Sequence, residues 1–152
     1  MRRIRKLLAV IVYASTALLL IVPVGLYRVG LSQVEGRPQK PTHLVSAEQQ
    51  SLVWKRAHGD GTPRVQADNP YAYLASIFFT QRTSPGQLVT WWVARDYLLS
   101  HKRREGMGWW HLSGAALTIW LSRNWTSEEI LSAAAQMQQS AQERSSANQD
   151  EQ

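Results

Sequence analysis

Residues 7–27 read LLAVIVYASTALLLIVPVGLY, 21 positions without a formal charge. No other feature restricts the fold of this chain as much. A helix of about 20 apolar residues spans the hydrocarbon core of a bilayer. The run also lacks the polar face that would seat it as an amphipathic helix on a soluble core. Pro23 and Gly25 lie near its end, where a span tolerates them or stops. Arg2, Arg3, Arg5 and Lys6 precede the run, and Arg28 alone follows it closely. That asymmetry puts the N-terminus in the cytoplasm and the remainder outside. A cleaved signal peptide shares the basic start, but its apolar region is only ~7–15 residues long and leads to a small-x-small site. Val24-Gly25-Leu26 makes a poor site of that kind. The expectation is a retained single span over 7–27, with residues 1–6 as its cytoplasmic basic end.

The basic end also accounts for most of the charge. Four of the 17 Lys and Arg fall within the first six residues, leaving 13 basic against 11 acidic groups elsewhere. So even a balance supplies no field for a nucleic-acid backbone, and no nucleic-acid partner is expected. With no Cys, the chain has neither disulfides nor a thiolate nucleophile. His43, His58, His101 and His111 are spaced unlike metal ligands. Neither a G-x-S-x-G elbow nor a glycine-rich phosphate loop occurs. No metal and no cofactor are expected.

Beyond the span, residues 28–45 mix Gly, Pro and charge without periodicity and read as a short stalk. Residues 46–143 carry helical punctuation throughout. Ser46-Ala-Glu-Gln49 has the form of a capping box and opens a helix to about 57. His58-Gly-Asp-Gly-Thr-Pro63 breaks it, with Asp60 as a turn former. Asp68-Asn69 followed by Pro70 starts a helix over 71–81, and Ser84-Pro85 starts another to about 100. A charged, glycine-containing break leads to a helix over 109–123, with Leu112, Ala115, Ala116, Ile119 and Trp120 on one stripe. Thr126-Ser-Glu-Glu129 caps a last helix to about 143. The polar residues 144–152 read as a disordered tail. Uncharged stretches at 85–94 and 109–122 are too short to cross a bilayer and fit core helices. Nothing alternates with period two, so the fold class is all-α: one transmembrane helix followed by a small helical domain.

All seven tryptophans fall between positions 54 and 125. Indoles stack on sugar rings, but they also fill cores and line membrane interfaces. The run His101-Lys102-Arg103-Arg104 suits an anionic headgroup or a solvated turn. Of the acids in 46–143, Glu48, Glu128 and Glu129 sit at helix starts, where they oppose the dipole. Asp96 follows Arg95 as a local ion-pair candidate, and no acid demands a catalytic explanation.

The stretch LTIWLSRNWTSEEIL, residues 117–131, resembles a segment of the glycosyltransferase family 51 domain, the peptidoglycan polymerase module of penicillin-binding proteins and monofunctional transglycosylases. Upstream, PGQLVTWWVARDYLL, residues 85–99, is similar to that family's Ser-Thr-Ile-Thr-Gln-Gln motif and the helix after it. The resemblance covers about 50 residues. It implies a lysozyme-like helical domain tethered to the outer face of a bacterial inner membrane, facing the periplasm. It also implies a peptidoglycan strand or a lipid-linked precursor as ligand. Departures from the family pattern fall on its chemistry. Trp91 and Trp92 stand where the motif has two glutamines, and Ser122 stands where a Glu precedes the helix-ending Arg. No acid occurs in 109–114, where the second catalytic Glu falls. Glu48 is the nearest text to the first catalytic Glu, and Arg95 and Arg123 retain positions that would meet pyrophosphate. Losing a general base removes ~10²–10⁴-fold of rate. The expectation is therefore a non-catalytic relative that binds a glycan or an envelope protein through Arg95, Arg123, Trp91 and Trp92. The alternatives are a minimal active enzyme with Glu48 as base, and a helical membrane interaction module without glycan binding.

Overall fold

The computed structural model describes residues 2–79 and 83–150, with the backbone alone for Arg2, 77–79 and 148–150. Among the described residues six helices follow one another: α1 (Arg2–Ser32), α2 (Ala47–Arg56), α3 (Pro70–Phe79), α4 (Pro85–His101), α5 (Met107–Asn124) and α6 (Ser127–Asp150). Among the described residues there is no strand beyond a single bridge between Val34 and Lys102.

The helix starts are set by short polar side chains that satisfy otherwise unpaired backbone N–H groups. At α2 the Gln49 amide donates to Ser46 Oγ at 3.3 Å and the Ser46 amide donates to Gln49 Oε1 at 3.2 Å, closing a capping box. Asn69 Oδ1 accepts from the Ala72 amide at 2.8 Å, and Ser84 Oγ accepts from the Gln87 amide at 3.2 Å. At α6 the Glu129 amide donates to Thr126 Oγ1 at 3.2 Å while Glu129 Oε2 accepts from the Thr126 amide at 2.7 Å. That backbone bond, with help from Lys40 at 3.0 Å, holds the Glu129 carboxyl below its ordinary value.

Helix α5 is the central element and touches α1, α3, α4 and α6. The stripe predicted for it is only part of its buried surface. Ser113, Gly114, Leu117, Thr118, Leu121 and Ser122 are buried as well. Two of its polar members keep a partner on turning inward because their hydroxyls bond the preceding turn: Thr118 Oγ1 donates to the Gly114 carbonyl at 2.9 Å and Ser122 Oγ to the Ile119 carbonyl at 3.0 Å. The core beside it holds Val53, Val89, Leu98, Leu117, Leu121, Ile130 and Leu131.

α1 is long and apolar enough to cross a membrane. Its two parts differ. From Ile4 to Ile21 the large apolar side chains stand free, Tyr13 at 77 % exposure. From Pro23 onward the same helix is partly covered by α3 and α5, and Gly30 is buried. A Cβ on Gly30 would lie 2.5 Å from the Leu112 carbonyl oxygen and 2.9 Å from Ala116 Cβ, so glycine permits the close crossing of α1 on α5. The second half of α1 thus belongs to the core of the helical head.

Two boundaries predicted from sequence change. Residues 28–45 do not hang as a stalk. Positions 28–32 continue α1; the Glu35 amide then donates to the His101 carbonyl at 2.8 Å and the Arg103 amide to the Gln33 carbonyl at 2.9 Å. Farther on, Gln136 Nε2 donates to the His43 carbonyl at 2.8 Å and the Val45 amide to Ser132 Oγ at 3.1 Å. The segment is a strap held largely through its backbone, which leaves no apolar periodicity to read. Residues 144–150, expected in a disordered tail, extend α6 to Asp150. Adding a residue to a helix already nucleated on the core needs little apolar content. Residues 151–152 lie outside the described residues, as do the last two positions of the helix predicted over 71–81.

Candidate functional site

Three features compete as a site. The first is a groove of about 310 Å³ between α4 and α6, lined by Trp92, Arg95, Asp96, Leu99, Met137 and Gln138. Successive residues of a helix point 100° apart, so the two adjacent tryptophans part company. Trp92 faces this groove and packs on the core. Trp91 turns the other way and lays its ring on Gly114 of α5, where a Cβ would collide with it. An indole beside a guanidinium can stack on a sugar ring and hold an anion. Pro38, Tyr97, Gln136 and Arg144 line a neighbouring cleft of about 380 Å³ that shares Asp96, Met137 and Ala141 with the groove.

Of the five residues singled out by sequence, this groove unites only Trp92 and Arg95. Glu48 is exposed in the first turn of α2, where its charge opposes the helix dipole. Arg123 is exposed in the last turn of α5. Among the described residues, neither lines this groove or its neighbouring cleft, and neither of the two is lined by two carboxylates. The Asp60 loop does structural work, since the Trp54 indole Nε1–H donates to the Asp60 carbonyl at 3.2 Å.

The second feature is a half-buried carboxyl that sequence treated only as a helix-start signal. Asp68 Oδ1 accepts from Gln87 Nε2 at 3.3 Å, and its amide donates to Ser122 Oγ at 3.0 Å. Burial raises the Asp68 carboxyl above its ordinary value, with the Gln87 bond pulling the other way. Burial also raises the Tyr73 phenol, and the charge of Asp68 adds to it. No motif marks this cluster, because its members come from the turn before α3, from α3 itself, from α4 and from α5.

The third feature is an almost wholly apolar cavity of about 220 Å³ where α1, α3 and α5 meet. The basic turn after α4 forms none of these. Arg104 lies 4.7 Å from the Trp109 ring centre, and Lys102 lies 5.7 Å from that of Trp110 while pairing with Glu105 at 2.8 Å. Such exposed contacts contribute about 0.5–1 kcal/mol each to local order.

No protein-family model matches the chain, and no curated protein and no solved structure is significantly similar to it.

Proposed function

We propose that this chain is a single-pass membrane protein whose helical head is a non-catalytic binding platform, built in one piece with its anchor. One observation carries the reading: α1 runs unbroken from a bare apolar half into a half that packs on α5 through Gly30. Unlike a head on a flexible stalk, a head sharing a helix with its span keeps a fixed tilt to the bilayer. The four basic groups before the span orient the head away from the cytoplasm, into the periplasm if the host is a bacterium of the kind the transglycosylase resemblance implies.

The groove with Trp92 and Arg95 supports a glycan or an anionic envelope partner as the ligand. It is the observation that favours a degenerate, lysozyme-like transglycosylase ancestry over a bare interaction module. Separation of Glu48 and Arg123 from that groove supports binding over polymerisation.

The absence of cysteine permits a clean test. A single Ser145→Cys variant of the full chain is treated in intact cells with a membrane-impermeant maleimide. The platform reading expects labelling at Ser145→Cys without lysis, retention of the chain in carbonate-washed membranes, and no extension of lipid-linked disaccharide by the purified protein. Labelling only after lysis would overturn the topology, and glycan extension would overturn the non-catalytic assignment.

A further inference from the structure

The cavity between α1, α3 and α5 has no place in the reading above. Its walls are Pro23 and Leu26 of α1, Tyr73 and Leu74 of α3, and Ala115 and Ile119 of α5. We propose that this cavity holds an acyl chain of a lipid from the leaflet on which the head sits. The inference rests on the proposal that α1 spans the bilayer.

Depth is the first argument. Twenty-one uncharged residues at 1.5 Å each make a helix of about 31 Å, against a hydrocarbon core of about 30 Å. Pro23 and Leu26, in the last turns of that run, therefore lie at the level of the outer acyl chains. The surface below them is continuous and apolar, since Leu18, Leu19, Leu20 and Ile21 of the same helix are all exposed. With α1 in the bilayer, lipid therefore borders the cavity on its Pro23 side.

Preformation is the second. Tyr71 donates its hydroxyl hydrogen to the Leu20 carbonyl at 2.6 Å, fixing the start of α3 to α1. On the other side Gly30 lets α1 and α5 close up. The walls are thus fixed by contacts that need no ligand.

Size selects the occupant. A helix with side chains is about 10 Å across, so two turns of one fill roughly 850 Å³. A cavity of about 220 Å³ has no room for a partner helix or for the core of a second copy. Yet it exceeds the ~150 Å³ at which an engineered apolar cavity stays dry and takes up benzene. A slender methylene chain fits where a helix does not. His111, itself exposed, is the polar member of an otherwise apolar lining apart from two tyrosine hydroxyls.

The test uses the full chain in vesicles of phosphatidylethanolamine and phosphatidylglycerol, doped with a phosphatidylcholine that carries a diazirine on its acyl chain. After irradiation, adducts are mapped by peptide mass spectrometry. The expected pattern is adducts on the bare part of α1 and also on Leu74, Ala115 or Ile119. Ala115→Phe fills the cavity and should lower the cavity adducts by about tenfold, leaving those on α1 unchanged. Ala115→Leu is the milder filling to use if Ala115→Phe loses the near-ultraviolet circular dichroism of the fold. A bare cavity on a labelled α1, as when a second copy or a partner covers it, overturns the inference while the anchor stands. Cavity adducts that persist in a folded filled variant overturn it too. An unlabelled α1 overturns the anchor itself.

Discussion

Two glycines of α1 offer the same substitution in opposite surroundings. A Cβ at Gly25 meets nothing within 4 Å, whereas one at Gly30 falls 2.5 Å from the Leu112 carbonyl oxygen and 2.9 Å from Ala116 Cβ. Both clashing atoms belong to backbone or to a β-carbon and cannot rotate away. Ordinary carbon-to-oxygen contact is about 3.3–3.6 Å, so α1 and α5 must part by nearly 1 Å across their interface. Alanine contributes about 0.8–1 kcal/mol of helix propensity at either site. Overpacking costs about 1–3 kcal/mol and arises at Gly30 alone. Gly30→Ala should therefore be about 1–3 kcal/mol less stable than Gly25→Ala, or lower in Tm by roughly 2–12 °C at this chain length. Thermal unfolding in micelles, followed by near-ultraviolet circular dichroism of the tryptophans, reads the difference. Equal melting of the two variants would refute the packing of α1 against α5.

Other consequences follow from single contacts. Thr126→Ala removes the acceptor at the start of α6 and should cost about 0.5–2 kcal/mol in denaturant unfolding. Because burial raises Asp68, the folded chain binds its proton more tightly than the unfolded one; stability from this group is fully present below the ordinary carboxylate value of 3.8 and is lost as pH rises through the folded pKa. Asp68→Asn should abolish that dependence and leave stability at neutral pH equal to or above the parent, as read by unfolding between about pH 3 and about pH 8. Arg95→Ala, at an exposed position, should change stability by no more than about 0.5 kcal/mol. In a pull-down on isolated peptidoglycan it should nevertheless weaken retention, and unchanged retention would remove the α4–α6 groove from the account.

The helix starts were legible because each is written in a few adjacent residues: Ser46 with Gln49, Asn69 before Pro70, Ser84 before Pro85, Thr126 with Glu129. The apolar run announced α1 in the same local way. What stayed hidden depends on partners distant in sequence. Nothing in the text around Gly30 says that Leu112 will press on it. The strap over 33–45 is tied through backbone groups to α4 and α6, and backbone groups leave no trace in residue type. For the same reason Trp91 and Trp92 could not be told apart until α5 covered one of them. Asp68 is a further case, read as a helix-start residue although burial beside residues of α3, α4 and α5 raises its proton affinity.

The proposed rigid union of anchor and head is most directly measured as a distance. Nitroxides placed on Ala14→Cys in the bare half of α1 and on Asn124→Cys at the end of α5, both exposed positions, report it by double electron–electron resonance in lipid nanodiscs. One narrow distance distribution is the expected result. A broad one, as a flexible stalk would give, contradicts the account.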